Sequence, residues 1–347
     1  DGQDSKSPTT NYGRPKVLSI VGQPAAGFSS DGGDLFTVTG KNFGPPDGGF
    51  LNFVKYGPSG IEYTASQCSV LSHFEIQCTT VPGIGPENVF TVSVASQISD
   101  VSSASMAYAD PVITNISPDN AVTNGGTLIA LTGTNFGLND VFTKSNIKVE
   151  FEGEEIATEF PVTTSKSNHK LEFPVPMGYG VQKAVRIVMH GPNVDVYSNV
   201  VRFNYSKPVI DSFTPTPTNQ NIDGLPEFVV AVNGSSFCAS DECGDLFLGD
   251  TKLTTTNWTH DVVFFRSTLA NDDLMIRVGF APPRDSNTVY YENVIPQISA
   301  LSSDAINRNL YNTAGHQILR FGGTQFSLND MKVTVRGKPC NFLPGYP

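Results

Sequence analysis

The 347-residue sequence predicts an all-β chain built of tandem β-sandwiches, and three observations carry that prediction. Thirty-two Gly and 24 Pro break the chain roughly every six residues, a density that average-length helices do not survive and short strands joined by turns do. Between the breakers, apolar and polar residues alternate with period 2, the mark of a strand with one face on a core. One block of this pattern returns four times at domain-sized intervals.

The strings Gly40–Gly44 (GKNFG), Gly133–Gly137 (GTNFG), Gly234–Cys238 (GSSFC) and Gly323–Ser327 (GTQFS) share a Gly followed three residues later by Phe. Four and two residues before that Gly stand Phe36 and Val38, Ile129 and Leu131, Val230 and Val232, Leu319 and Phe321. The Gly is expected to supply a positive φ at the strand end, and the Phe to turn back into the core. A second string opens each copy with Pro: PKVLSIV from Pro15, PVITNISP from Pro111, PVIDSFTP from Pro208 and PQISALS from Pro296. Pro suits the first residue of an edge strand, where its missing N–H does no harm.

These openings lie 96, 97 and 88 residues apart, so the repeat is a whole domain. The second copy shows the remaining strands as NIKVEFEG, KLEFPVP, KAVRIVMH and VVRFNY. About seven short strands per unit of roughly 95 residues reads as an antiparallel sandwich. The expected boundaries are a leader at 1–14, whole units at 15–110, 111–207 and 208–295, and the first half of a fourth at 296–347. Short connections at Ala107–Pro111 and Ser206–Pro208 predict a stiff rod, because few residues are free between strands.

Composition narrows the function. Apolar residues are 39% and charged residues 16%, as in a globular chain. The net charge of -11 makes the chain poorly suited to hold nucleic acid, and no nucleic-acid partner is expected, since phosphate contacts need clustered positive charge. No apolar run reaches the roughly 18 residues of a bilayer span, so the fragment is expected to be soluble. Asp1, without an initiator Met or apolar leader, reads as an arbitrary boundary or as the start of a mature chain. Because the fourth unit stops midway, a membrane anchor is expected beyond Pro347.

Of five Cys, Cys68 and Cys78 are ten apart and Cys238 and Cys243 five apart. Local spacing of this kind suits hairpin disulfides in a secreted protein, contributing about 2.8 and about 2.2 kcal/mol by loop closure. Buried thiols in a cytosolic protein are the alternative; zinc is disfavoured because no His lies at ligand spacing from either pair. Cys340 is left to pair beyond Pro347. Sequons occur at Asn115, Asn204, Asn233 and Asn257, a number that composition alone would produce, and they are compatible with glycosylation.

The Pro-x-Ile-x-x-Ile-x-Pro opening, Gly125–Gly126, the GTNFG turn and Cys68/Cys78 with the following Thr-x-x-Pro resemble the IPT/TIG domain. That is an immunoglobulin-like sandwich of plexins, the Met receptor family and Rel-type transcription factors. The resemblance covers nearly the whole chain after residue 14. The third and fourth units depart from it, with the double Gly and final Gly altered, which questions the third turn's conformation. Tandem copies in an acidic, Asn-rich chain resemble the polymorphic tiger (Tgr) adhesion and allorecognition proteins of social amoebae.

That resemblance implies a cell-adhesion and self/non-self recognition ectodomain on the extracellular side of the plasma membrane. Its partner would be a related cell-surface protein on a neighbouring cell, heterophilic rather than homophilic. The alternatives are the stalk of a plexin- or Met-like signalling receptor and an accessory module of a secreted carbohydrate-active enzyme. A Rel-type DNA-binding role is disfavoured by the charge.

No catalytic, cofactor or metal site is assigned. His73, His169, His190, His260 and His316 have no fixed place in the repeat, and no Gly-x-Ser-x-Gly, His-Glu-x-x-His or P-loop string occurs. The loop Gly44–Phe50 (GPPDGGF) lacks Lys and carries Asp47, which would repel phosphate. Asp241, Glu242, Asp245 and Asp250 are the best Ca²⁺ candidates, although a solvated acidic loop is preferred.

Interface residues are sought among charges and aromatics. The units carry -5, -1, -8 and +3, and the leader is neutral. In the second unit Glu150, Glu152, Glu154, Glu155 and Glu159 crowd one hairpin opposite Lys144, Lys148, Lys166, Lys170 and Lys183, a mixed surface suited to a complementary partner. In the first unit an inserted loop places Phe50, Phe53, Tyr56 and Tyr63 near one end; Phe50 and Phe53 differ in parity, so at most one faces the core. The partner surface is therefore expected at Phe50, Phe53, Tyr56, Tyr63, Glu152, Glu154, Glu155, Lys166 and Lys170, on the units farthest from a C-terminal anchor.

Overall fold

The computed structural model describes residues 12–137, 146–156, 169–191, 194–222, 225–267, 272–279 and 282–291, and strands at 297–303, 319–324, 334–335 and 338–339. The first sandwich has β1 (Lys16–Val21), β2 (Leu35–Lys41), β3 (Leu51–Gly57), β4 (Tyr63–Thr64), β5 (Ser66–Ser72), β6 (Glu75–Thr79), β7 (Asn88–Val94), β8 (Gln97–Ile98) and β9 (Ser105–Met106). One sheet runs β1-β2-β6-β5; the other runs β4-β3-β7-β8, with β9 also on β7.

The second sandwich repeats this with β10 (Val112–Ser117), β11 (Asn120–Ala121), β12 (Leu128–Thr134), β13 (Ile147–Phe151), β14 (Glu154–Ile156), β15 (His169–Pro174), β16 (Lys183–His190), β17 (Asp195–Tyr197) and β18 (Val201–Tyr205). Its sheets run β10-β12-β15 and β11-β18-β16-β13-β14, with β17 on β16. The third has β19 (Val209–Ile222), β20 (Leu225–Ser235), β21 (Gly244–Leu248), β22 (Thr251–Leu253), β23 (Thr255–Trp258), β24 (Val262–Ser267), β25 (Asp272–Val278), β26 (Arg284–Asp285) and β27 (Val289–Tyr291). Its sheets run β19-β20-β24-β23 and β22-β21-β25-β26, with β27 on β25. Beyond them β28 (Gln297–Ser303) pairs with β29 (Leu319–Thr324), and β30 (Thr334–Val335) with β31 (Lys338–Pro339). The chain is thus all-β, a tandem series of immunoglobulin-like sandwiches.

Register repeats as faithfully as sequence. Gly40, Gly133, Gly234 and Gly323 stand opposite Val17, Ile113, Ile210 and Ile298, and each first strand bulges just after that pair. A bulge adds twist and lets an edge strand leave its partner. Apolar residues on alternate positions of β2, β12 and β20 then meet those of the facing sheet in three cores.

The repeated Gly has a different role from the expected one. Gly40, Gly133 and Gly234 lie outside the left-handed region; a Cβ there would meet the carbonyl oxygen of Lys16, Val112 or Val209 at 2.1, 1.9 and 2.0 Å, and the following Phe ring at 2.4, 2.8 and 2.4 Å. The missing side chain permits close approach of the opening strand and of Phe43, Phe136 and Phe237, all fully buried. The left-handed residues come later: Asn42, Asn135 and Ser236 at φ 64°, 60° and 60°, then Gly44, Gly137 and Cys238 at 86°, 80° and 66°. Cys238 therefore preserves the turn in the third unit, despite the loss of Gly.

Disulfides join Cys68 to Cys78 across β5 and β6, and Cys238 to Cys243 between the third turn and β21. The opening strands of the second and third units are held across the sandwich by one Asn each. Asn199 Oδ1 accepts from the Ile113 N–H at 2.7 Å and its Nδ2 donates to the Ile113 carbonyl at 3.0 Å. Asn287 does the same for Ile210 at 2.8 and 2.9 Å.

Candidate functional site

The aromatic candidates of the first unit divide between core and surface. What reads as an inserted loop is largely β3, whose Val54 and Tyr56 point inward. Tyr56 is fully buried, its hydroxyl 2.7 Å from that of Tyr108 and accepting the Val81 N–H at 2.9 Å. Burial pushes both phenols up from their ordinary range. Tyr63, opposite Tyr56 across β3 and β4, is half-buried against the same core, its ring 5.4 Å from that of Tyr56. Tyr56 therefore drops out as a partner anchor, and the parity of Val54 and Tyr56 was the overlooked signal. Phe50, just before β3, is 52% exposed. Phe53 is half-buried on the outer face, with the Lys55 ammonium 5.0 Å from its ring centroid.

In the second unit the acidic hairpin forms the edge β13-β14 beside β16. Glu150 takes a bidentate pair from Arg186 at 2.9 and 2.7 Å, and Arg186 stacks 4.3 Å from the Tyr197 ring centroid. Glu152 accepts from the Ala184 N–H at 2.6 Å and from Lys183 at 3.3 Å. The backbone bond to Ala184, with Lys183 behind it, holds its carboxyl below the usual range. His190 lies between Asp195 (3.0 Å) and Glu155 (3.2 Å). Glu154 is exposed at the turn. Lys170 sits on the other sheet, in β15, paired with Glu172 at 2.5 Å, so the expected facing of acids and lysines is split between two faces. Lys166, Lys144 and Glu159 lie outside the described residues.

Among the sequon residues, Asn115 and Asn257 are exposed, whereas Asn204 and Asn233 are half-buried. Asn204 Oδ1 accepts the Gln182 N–H at 2.9 Å, and Asn233 lies inside β20 with a strand on each side. Of the acidic loop, Asp245 pairs with Lys252 at 2.5 Å and Asp241 accepts from Thr255 at 3.5 Å; Glu242 and Asp250 are exposed.

The arrangement that sequence reasoning missed is a joint built twice. Between the first and second sandwiches, buried Asp31 accepts from His169 Nε2 at 2.9 Å. His169 Nδ1 accepts the Phe136 N–H at 2.8 Å. Since a backbone N–H only donates, the ring is the Nε2–H tautomer. Ser30 Oγ accepts the Gly137 N–H at 3.3 Å. Between the second and third sandwiches, Thr123 stands in the place of Ser30, accepting the Cys238 N–H at 3.2 Å and lying 2.9 Å from His260 Nδ1.

Each joint also has a knob. Ile84, one residue before Gly85, packs with the second core beside Gly191; Tyr179, one residue before Gly180, lies against Gly279. Arg284 adds a bond to the Tyr205 carbonyl. Three of the histidines, His73, His169 and His260, thus do have a place in the repeat, whereas His190 lies apart from it on β16. His73 and His260 each give their carbonyl to the core Phe N–H, at 3.1 and 2.9 Å, and His169 stands one register position later. The overlooked sequence signal was a hydroxyl two residues before a Gly-Gly: Ser30 before Gly32–Gly33, and Thr123 before Gly125–Gly126. His316 lies outside the described residues.

Residues 111–205, the second sandwich, match the family described as the IPT/TIG domain. Over 258 residues the chain is 26% identical to Plexin-A2 of Mus musculus, covering 70% of this chain and 13% of that protein. Among solved structures, the full extracellular region of Plexin A4 is matched over 94% of this chain and 28% of that one, at 14% identity and a TM-score of 0.25. The SGBP-B protein of the Bacteroides ovatus mixed-linkage glucan utilization locus, solved with a mixed-linkage heptasaccharide, is matched over 86% and 72%, at 12% identity and a TM-score of 0.21. The fold defines the class as tandem immunoglobulin-like sandwiches, the second of which matches the IPT/TIG domain.

Proposed function

We propose that the chain is part of the extracellular region of a cell-surface recognition protein, binding a related protein on a neighbouring cell. The observation that carries this reading is the repeated joint. Two successive sandwiches are bolted to their neighbours through buried polar pairs and a knob, so a surface on one unit is held in fixed relation to the next. Disulfides in two units favour an oxidising, extracellular compartment. The similarity to a plexin and the resemblance to tiger adhesion proteins point the same way.

The contact surface is assigned to Phe50 and Phe53 on the first unit and to Glu152, Glu154 and Glu155 on the β13-β14 edge of the second. Tyr56 is removed from it by burial. A heterophilic partner fits best, since the first unit carries -5 and repels its own copy. Bead aggregation and surface-binding assays against related cell-surface proteins test the reading. Phe50→Asp or Glu154→Arg is expected to weaken binding by about tenfold, and absence of any binding by the unaltered chain would reject it.

The similarity to Plexin-A2 favours a second reading, the stalk of a plexin-type signalling receptor. Ligand would then bind elsewhere in the longer protein, and both substitutions would leave recognition unchanged.

A further inference from the structure

The face that receives a preceding sandwich occurs three times among the described residues and is covered twice. Gly137 and Cys238 are buried, and their N–H groups meet the hydroxyls of Ser30 and Thr123. Their counterpart Gly44 has the same left-handed φ, is half-exposed, and its N–H reaches no acceptor among the described residues. His169 is buried beneath the first unit; its register counterpart Phe74, whose carbonyl accepts the Gly40 N–H at 2.8 Å, is 61% exposed. Phe50, 52% exposed, lies beside Gly44 at the same end.

A second observation comes from the connections. Tyr108–Pro111 (YADP) and Tyr205–Pro208 (YSKP) each lead from one sandwich to the next, and Tyr12–Pro15 (YGRP) repeats that string. Tyr108 and Tyr205 are buried, and they close their own sandwiches by donating a hydroxyl to Val81 O at 2.5 Å and Pro176 O at 2.7 Å. The connection itself is held alike: Asn135 Nδ2 donates to Asp110 O at 3.3 Å and Asn42 Nδ2 to Arg14 O at 2.9 Å. Tyr12, in contrast, is 93% exposed.

We propose that the open face of the first sandwich is the docking site for a further sandwich of the same kind, lying immediately N-terminal in the same polypeptide and closed by Tyr12. That unit would present a Ser or Thr hydroxyl to the Gly44 N–H. Against Phe74 it would set an apolar side chain, because a benzyl ring offers no donor to the carboxylate that His169 holds in the next joint. The joint and the proposed contact surface compete for Phe50: once a preceding sandwich covers it, the contact surface rests on Phe53 and the β13-β14 edge.

The test replaces residues 1–14 with a copy of residues 111–207, so that the copied Tyr205–Lys207 take the place of Tyr12–Arg14. Hydrogen exchange at the Gly44 amide is followed at two protein concentrations, with the Gly137 and Cys238 amides as internal standards. The extended chain is expected to exchange Gly44 at least about tenfold more slowly than the unextended one, at both concentrations. Phe74→Asp, at an exposed position, should reverse the protection and leave Gly137 unchanged. A second extension with residues 15–110, which puts Ser30 in the role of Thr123, should protect Gly44 to a smaller degree, since Asp31 then faces a ring. Equal exchange at Gly44 with and without both extensions overturns the proposal. So does concentration-dependent protection in the unextended chain, since the face would then take a second copy.

Discussion

His169 Nε2 lies 2.9 Å from Asp31 Oδ2, joining two sandwiches through residues 138 positions apart. With the Phe136 N–H on Nδ1, both ring nitrogens are engaged, and the site is closed to water.

Asp31→Ala should leave a buried N–H without an acceptor and cost about 1–3 kcal/mol. Asp31→Asn retains an acceptor oxygen and should cost less. Calorimetry is the measurement: the alanine variant is expected to separate the melting of the first two sandwiches, and the asparagine variant to keep them closer together.

Two glycines of the second sandwich should respond differently to the same substitution. A Cβ on Gly126 meets nothing within 4 Å, but φ is +78°, so Gly126→Ala should cost about 1–2 kcal/mol. Gly133→Ala would drive a methyl to 1.9 Å from the Val112 carbonyl and 2.8 Å from the Phe136 ring. It is expected to be the more damaging by urea denaturation, because the opening strand must move away.

Two histidines should oppose each other in acid. Hydrogen bonding to Asp195, with Glu155 adding to it, raises His190 above its usual 6.5. Its contribution to stability is therefore complete below that value and lost as pH rises through the raised folded value. Burial lowers His260, so its contribution is present above 6.5 and lost as pH falls through the depressed folded value. Urea midpoints from pH 5 to 8 should show His190→Gln losing the part that grows toward acid and His260→Gln losing the part that fades there.

The two disulfides should also differ in reach. Replacing Cys68 and Cys78 by Ala is expected to cost about 2.8 kcal/mol and the Cys238/Cys243 pair about 2.2 kcal/mol by loop closure. The second replacement should do more at a distance. Cys238 donates its N–H to Thr123, so freeing that turn should speed exchange of the residue 238 amide, whereas losing Cys68–Cys78 should leave Gly137 protected.

The sequence by itself determined the strands and their repetition. Val38 against Phe36, or Leu131 against Ile129, displays inward parity within a few residues, and Phe43, Phe136 and Phe237 recur at one offset from a Gly. Such signals are local, because a strand's period and a turn's residues act over neighbouring positions. Parity also held the answer for Tyr56, which a loop reading obscured. Only tertiary structure decided why the repeated Gly is needed, since the carbonyl it clears belongs to a strand more than 20 residues earlier. The same is true of the joints: neither Asp31 nor His169 carries in its own neighbourhood any sign of the other. A buried polar pair is selected by the packing of two folded surfaces, and that packing exists only after each sandwich has closed on its own core.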